Sequence, residues 1–416
     1  VHYHSDHAAF GGCETMLVNL LSQPEIRRDY TVSFSYRESP RYAAELRRRI
    51  RIDFPVYPLP FMEPSSLVPA VHRWRPPFDR VGRVLSRQLT TLPALLHEIV
   101  TLCRLLRRLG PDVLHINNGG YPGALSARAA AIAGRLAGVP HVIMVVNNYA
   151  EGYDGVCRKL QYPIDRLVVR SVSRFISGSA AAATRVREVL GLASRQAVSI
   201  VQGADLRTPS ETPDTTRARV GIGAAEGLLL GIVALLEPRK GHRVLIEAIA
   251  RVRAASTDAT PPFTVLFVGD GPMRAELEAL AAERDVAEQC RFLGYEENPM
   301  NVMAILDVLV LASVGYEDFP NVVLEAMAVG KAVIASRMAG TPEQIVDGET
   351  GLLVTPGNVD ELAAAMSRLL LDAPLRRAMG TAGRRRFEER FTAARAARRY
   401  AEFYRALLDG RETART

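Results

Sequence analysis

Lysine is nearly absent from this chain. Among 416 residues only Lys159, Lys240 and Lys331 occur, so almost all of the 52 basic residues are arginines and each lysine invites a specific reason. Cysteine is sparse too: Cys13, Cys103, Cys157 and Cys290 lack the paired spacing of a zinc site or a disulfide framework and read as reduced packing residues. There is one tryptophan, Trp74. The longest apolar runs, such as GLLLGIVALL, fall well short of the ~18 residues a membrane span needs, and no basic start followed by an apolar stretch opens the chain. The expectation is a cytoplasmic protein that at most touches the inner face of a membrane. A hydrophobic content of 48% excludes a disordered chain, and the length fits two ordinary domains.

What the chain does have is alternation. Short apolar runs rich in β-branched residues (TVSFSY, DVLHI, HVIMVV, RFISGS, AVSIV, then LLLGIVALL, FTVLFVG, CRFLG, VLVLAS, AVIAS) alternate with amphipathic stretches rich in Ala, Leu and Arg. Strand-helix alternation indicates parallel sheets, and two successive sets indicate an α/β protein with two doubly wound domains. Val1 itself lies inside what looks like a strand. The segment GADLRTPSETPDTTRARVGI, with Pro and Thr among charges, reads as the linker. This gives a first domain over 1–205, a second over 206–390, and a C-terminal helix over 391–416 expected to pack across both. Open parallel sheets bind ligands outside the carboxyl ends of their strands, so two facing sheets imply a ligand in a central cleft.

The residues that carry chemistry concentrate in GYEDFPNVVLEAMAVGKAVIAS. Glu317 follows the strand VLVLAS, Pro320 sits at a helix start, and Glu325 falls in the opening turns. Backbone N–H groups from Asn321 through Val322 to Val323 can cradle a phosphate, while an ionised carboxylate can accept from two neighbouring sugar hydroxyls. On these residues alone the acids can equally serve to offset the helix macrodipole. In LLEPRKGHRVLIEAI, Arg239 and Lys240 stand at a strand-to-helix turn, placed either to balance a diphosphate or as a solvated basic pair. In VGDGPMRAELEAL, Gly269 and Gly271 permit a tight turn beneath a nucleotide, without the spacing of a dinucleotide fingerprint.

In order and spacing, LLEPRKG, VGDGP, RFLGY, Glu317 with Glu325, LEAMAVGKAVIAS and GTPEQIVDGETGLLV resemble the retaining glycosyltransferases of family 4, glycosyl transferases group 1. That family has the GT-B architecture of two Rossmann-like domains. The resemblance implies that Glu325 binds the ribose hydroxyls of a nucleotide sugar and Glu317 those of the transferred sugar. It implies that Lys240 and Arg239 hold the diphosphate and that main-chain groups near Tyr295 meet the base. Gly11 and Gly12, in AFGGCETML, match the glycine-rich loop that approaches donor and acceptor. The implied reaction is a retaining, metal-independent transfer, without a cofactor, from a UDP- or GDP-sugar to a hydroxyl of a glycan, lipid or small natural product. A nucleotide-sugar epimerase or phosphorylase on the same fold, or a non-catalytic binding protein, remain as alternatives.

Two departures stand out. Where the family often has Gly-Arg-Leu with a phosphate-binding Arg, this chain has Ala234, Leu235 and Leu236, which leaves Arg239 as the nearest replacement. Where it commonly has His or an acid in the first domain, this chain has Asn117, Asn118, Asn147 and Asn148, none able to act as a general base. His115 lies within a strand pattern and reads as buried. His4 and His7 are the titratable candidates near the glycine pair, and His7 is taken as a catalytic candidate. From Arg27 to Arg108 there are 16 Arg against seven acids, and the same region contains the Pro-rich, aromatic stretch FPVYPLPFMEPSSLVPAVHRWRPPFDR with Trp74. This composition implies peripheral contact with an anionic membrane through residues 27–108, or else a solvated arginine-rich surface. No nucleic-acid motif accompanies it, so nucleic acid is not an expected partner.

Overall fold

A computed structural model of the chain describes all residues except 7–9, 62–78, 206–207, 224–226, 316 and 411–416, and describes only the backbone of 79–90. The apolar runs become two all-parallel sheets. The first holds β1 (His2–Ser5), β2 (Ser33–Arg37), β3 (Val56–Leu59), β4 (Val113–Asn118), β5 (His141–Val146), β6 (Arg174–Ser177) and β7 (Ala197–Ser199), in the order β3-β2-β1-β4-β5-β6-β7. The second holds β8 (Leu228–Val233), β9 (Phe263–Val268), β10 (Cys290–Gly294), β11 (Val308–Leu311), β12 (Ala332–Ser336) and β13 (Leu352–Val354), in the order β10-β9-β8-β11-β12-β13. Strands such as HVIMVV are apolar almost throughout because helices cover both faces of a parallel sheet. Accordingly the first sheet has one apolar core on each face, one including Leu114 and Met144 and the other Tyr3 and Ile143.

Strand order reverses between β1 and β4 in the first sheet and between β8 and β11 in the second. A gap opens above the carboxyl ends at such a switch point, where ligands of open α/β sheets bind. The loops after β1 and β4, and those after β8 and β11, are thereby singled out by topology alone.

Two of the strands have no β-branched run to announce them. β3 contains Pro58, which cannot donate to a ladder and is tolerated because β3 is an edge strand. β13 is three residues long and also lies at an edge. The division of the chain also differs from the linker-based expectation. The first unit is Val1–Gln202 together with Ala393–Thr416, and the second is Gly203–Thr392. The proline-rich linker therefore belongs to the second unit, and its Pro213 opens a short helix, Pro213–Arg219. The C-terminal helix (Ala393–Leu408) counts with the first unit, where Ala397, Tyr400, Phe403 and Tyr404 enter the core. Tyr404 Oη meets His115 Nδ1 at 2.6 Å and Tyr3 Oη at 3.1 Å. His115 is buried as expected, and desolvation lowers its pKa to about 3.

Candidate active site

At the switch point of the second sheet, three loops stack on one another through backbone contacts that only glycine permits. The turn after β8 ends at Gly241, with φ +70°, where an added Cβ would lie 1.8 Å from Ala312 O at the end of β11. Gly269, after β9, has φ +135° and would place a Cβ 2.0 Å from Ala234 O. Val314 N–H donates to Arg239 O at 2.8 Å, and Leu236 N–H to Asp270 O at 3.0 Å, so the loops are tied as well as stacked. Residues far apart in sequence consequently meet. Lys240 Nζ donates to Glu317 Oε1, Ser313 Oγ donates to the same oxygen at 2.8 Å, and Arg239 Nη1 lies 3.7 Å from it. Glu317 is only 6% exposed, and Arg239 is further held by Glu237 Oε2 at 3.0 Å.

Beyond Glu317 the chain turns at Pro320 into the helix Asn321–Ala328. Val323 N–H is taken up by Pro320 O at 3.2 Å, so it drops out of the three-donor cradle expected from the sequence. Glu325 lies one turn in. It keeps part of its surface open but sits deep among protein atoms, and desolvation raises its carboxyl to about 7. Tyr295 stands 70% exposed just after β10, beside Gly294 O, which accepts from Gly269 N–H at 2.8 Å.

In the first unit the switch point between β1 and β4 holds Gly11 and Gly12, with Gly12 opening the helix Gly12–Leu21. Glu14, unremarked in the sequence reading, organises this turn. It is fully buried, and its carboxylate accepts from Gly11 N–H at 3.3 Å, Cys13 Sγ at 2.9 Å and Ser5 Oγ at 3.1 Å. The available signal was its spacing, three residues after the cap, which suits a carboxylate reaching back to the cap N–H. From Ser5 the hydrogen bonds continue to Asn117 Nδ2 at 3.1 Å, from Asn147 Nδ2 to Asn117 Oδ1 at 2.7 Å, and from Gln202 Nε2 to Asn147 Oδ1 at 2.7 Å. The asparagine pair thus engages itself, joining the carboxyl ends of β1, β4 and β5. Asn118 is buried and caps the next turn by accepting from Ala124 N–H at 3.2 Å.

His4 is not a group facing ligand. It is fully buried between Ser35 Oγ at 2.9 Å and Ser126 Oγ at 3.2 Å, and burial lowers its pKa to about 4. His7 lies outside the described residues, as do 62–78 with Trp74. The aromatic side chains Phe54, Tyr57 and Phe61 just before that stretch are half-buried or buried. Arg37 lies over the buried Phe61 at 5.2 Å, Arg108 over Tyr57 at 5.5 Å and Arg27 over Phe54 at 5.4 Å, so here arginine and aromatic side chains serve each other.

The family "Glycosyl transferases group 1" matches residues 217–386, and "Glycosyl transferase 4-like domain" matches 35–203. A 2-deoxystreptamine glucosyltransferase of Streptomyces kanamyceticus is 30% identical over 349 residues, covering 80% of this chain and 87% of the relative. The chain belongs to the group 1 glycosyltransferases. Among solved structures, Anabaena HepE in complex with UDP superposes with a TM-score of 0.73 at 20% identity, covering 97% of this chain and 99% of HepE. Sucrose-phosphate synthase from Thermosynechococcus elongatus gives 0.70 at 20%, covering 98% and 99%. Both share the GT-B fold. In this glycosyltransferase the segment that departs from the family pattern is split in role: Leu236 is buried in the core, whereas Leu235 is 54% exposed. No cation is supplied there, and Arg239 beside Glu317 is the nearest arginine along the chain.

Proposed function

We propose that the enzyme moves a sugar from a nucleotide diphosphate sugar to a hydroxyl acceptor with retention of configuration and without a metal ion. The observation that carries this reading is the Lys240–Glu317 pair, joined by Ser313 and Arg239, at the switch point and just ahead of the helix Asn321–Ala328. An ammonium has three N–H donors and Lys240 spends one on Glu317, which leaves donors for phosphate oxygens. Glu317 accepts through Oε1, and Oε2 carries no hydrogen bond among the described residues, so it is available to hydroxyls of the transferred sugar. Lys240, Arg239 and the N-terminal end of the helix Asn321–Ala328 together stabilise the departing diphosphate, the electrostatic share of catalysis that a metal otherwise supplies. Glu325 takes the ribose hydroxyls, and Gly269 with the main chain beside Tyr295 borders the base. Gly11 and Gly12, set by Glu14, let the backbone of the first unit come close to a ligand.

The first-unit chemistry supports front-face attack, in which the leaving phosphate oxygen takes the acceptor proton. The asparagines engage one another, and His4 is neutral and enclosed, so none of them is placed as a general base. The relative named 2-deoxystreptamine glucosyltransferase makes a glucosyl donor and a small polyhydroxyl acceptor the first pair to test, alongside GDP-sugars. The test is NMR of the product's anomeric centre, with and without EDTA. Retained configuration and chelator-insensitive turnover are expected. An inverted product, loss of turnover with EDTA, or epimerised donor in the absence of acceptor contradicts the reading.

A further inference from the structure

The loop after β12 stands beside the loop that carries Glu317, since β12 and β11 are neighbours in the second sheet. It is held under more constraint than a surface connection needs. Ala339 takes φ +42°, a left-handed conformation that is costly for a residue with a Cβ, and among the described residues only Asp285 shares it without being glycine. Thr341 Oγ1 fixes the turn, accepting from Met338 N–H at 3.0 Å and donating to Ser336 O at 2.6 Å. Gly340 N–H is thereby brought to donate to Asp318 O at 2.8 Å, immediately past Glu317.

A second tie comes from Gln344, at the end of the short helix Thr341–Gln344. Its side chain is fully buried, and Nε2 donates at 3.1 Å to Pro320 O, the carbonyl at the start of the helix Asn321–Ala328. A carbonyl only accepts, so the amide must face it with nitrogen and turn its oxygen away. That oxygen, Oε1, is buried without a hydrogen-bond partner. The backbone of the same residue is gripped from behind by Arg386, whose Nε donates to Gln344 O and Nη2 to Glu343 O, both at 2.8 Å. Arg386 lies over Phe391 at 5.5 Å, and Phe391 meets Phe319, beside Pro320, edge-on at 5.8 Å. The turn into the helix Asn321–Ala328 is therefore braced from both sides.

For stability alone, glutamine is a poor side chain here. Pro320 O also accepts from Val323 N–H and would keep that partner without the amide. An unpaired buried acceptor weakens the fold, and an apolar side chain of the same shape removes it at little or no cost. A strained alanine and an orphaned amide oxygen, both next to a binding site, are what a functional demand leaves behind. We propose that Gln344 is a positioning residue for the diphosphate seat: it fixes the Pro320 carbonyl, and with it the direction in which the first turn of the helix Asn321–Ala328 meets the ligand. Gln344 itself touches no ligand, being fully buried. The inference rests on the sugar-transfer reading and deepens it, by setting a determinant of diphosphate affinity behind the site.

The test is calorimetric titration of wild type, Gln344→Met and Gln344→Glu with UDP, GDP and the matching monophosphates at pH 8, beside thermal melts. Methionine keeps the length of the side chain and removes both polar atoms, so this variant should melt at or above the wild-type temperature. Its affinity for whichever diphosphate the wild type binds should nonetheless fall by roughly three- to tenfold, the worth of one hydrogen bond, and the monophosphate should lose less. Gln344→Glu presents an acceptor to Pro320 O and should bind the diphosphate more weakly still. A Gln344→Met protein that binds the diphosphate as wild type does overturns the proposal. So does a loss seen only together with a melting temperature lowered by several degrees, or one equal for diphosphate and monophosphate. A wild type that binds neither diphosphate overturns the sugar-transfer reading and this inference together, so the wild type alone tells the two failures apart.

Discussion

The Glu325 carboxyl, raised by burial to about 7, must be ionised to accept hydrogen bonds from two neighbouring hydroxyls. Donor affinity should therefore rise with pH through about 7 and level off above it. Glu325→Gln should remove this dependence and weaken donor binding by roughly tenfold at pH 8, the difference between a charge-assisted and a neutral hydrogen bond. The stability linkage runs the other way. A carboxyl whose folded pKa lies above its unfolded value of 4.5 stabilises fully below that value, and the contribution is lost as pH rises through about 7. Glu325→Gln should accordingly melt higher than wild type at pH 8 while binding donor less well. Calorimetric titration and thermal melts over pH 6 to 8.5 check both signs. That Lys240 and Glu317 lie near the switch point was legible in the sequence because each stands in the loop after a strand, β8 or β11, which topology places there. The asparagines were not. Whether Asn117 meets Asn147 depends on the register of β4 with β5, which residue type does not reveal. His4 misled for a similar reason: β1 is central and covered on both faces, so a polar residue there points into protein.

Among elements, the glycine contacts decide whether the site exists at all. Gly241 and Gly269 are where the backbones of neighbouring loops approach, and the Lys240–Glu317 pair depends on that approach. Gly241→Ala adds a methyl against Ala312 O at a positive φ, costing on the order of 1–3 kcal/mol or displacing the turn. Melting temperature should fall by roughly 2–4 °C for each kcal/mol, and turnover should fall by more than stability alone explains because Lys240 moves with the turn. Wild-type turnover in a folded Gly241→Ala protein contradicts this role. These glycines were visible as turn residues, but that they abut particular carbonyls was not. The unread strands, β3 and β13, show the limit of pattern: an edge strand interrupted by Pro58 and one of three residues carry too little periodicity to stand out.

For the whole molecule, the two-sheet α/β organisation follows from the alternating runs, whereas the return of the chain to the first unit at Ala393 does not, since an amphipathic helix names no partner. That return makes the first unit depend on both chain ends. Tyr404→Phe removes the hydroxyl shared by His115 and Tyr3 and should destabilise the first unit by about 1–3 kcal/mol, the cost of buried polar groups left unpaired. Nucleotide binding in the second unit should be unchanged, and a melt followed with and without nucleotide separates the two.

The central claim is that Lys240 and the carboxylates near it form the seat of a nucleotide diphosphate. Its most direct measurement is the thermal shift of the full chain with UDP, GDP and their sugars, run beside Lys240→Ala. At least one diphosphate should stabilise the wild type, by about 2.7 kcal/mol at a hundredfold excess over its dissociation constant. Lys240→Ala should weaken that ligand by roughly 10- to 100-fold, the loss expected for one charge-assisted phosphate contact. A wild type that no nucleotide diphosphate or nucleotide sugar stabilises, or a folded Lys240→Ala that binds as tightly, would contradict the account.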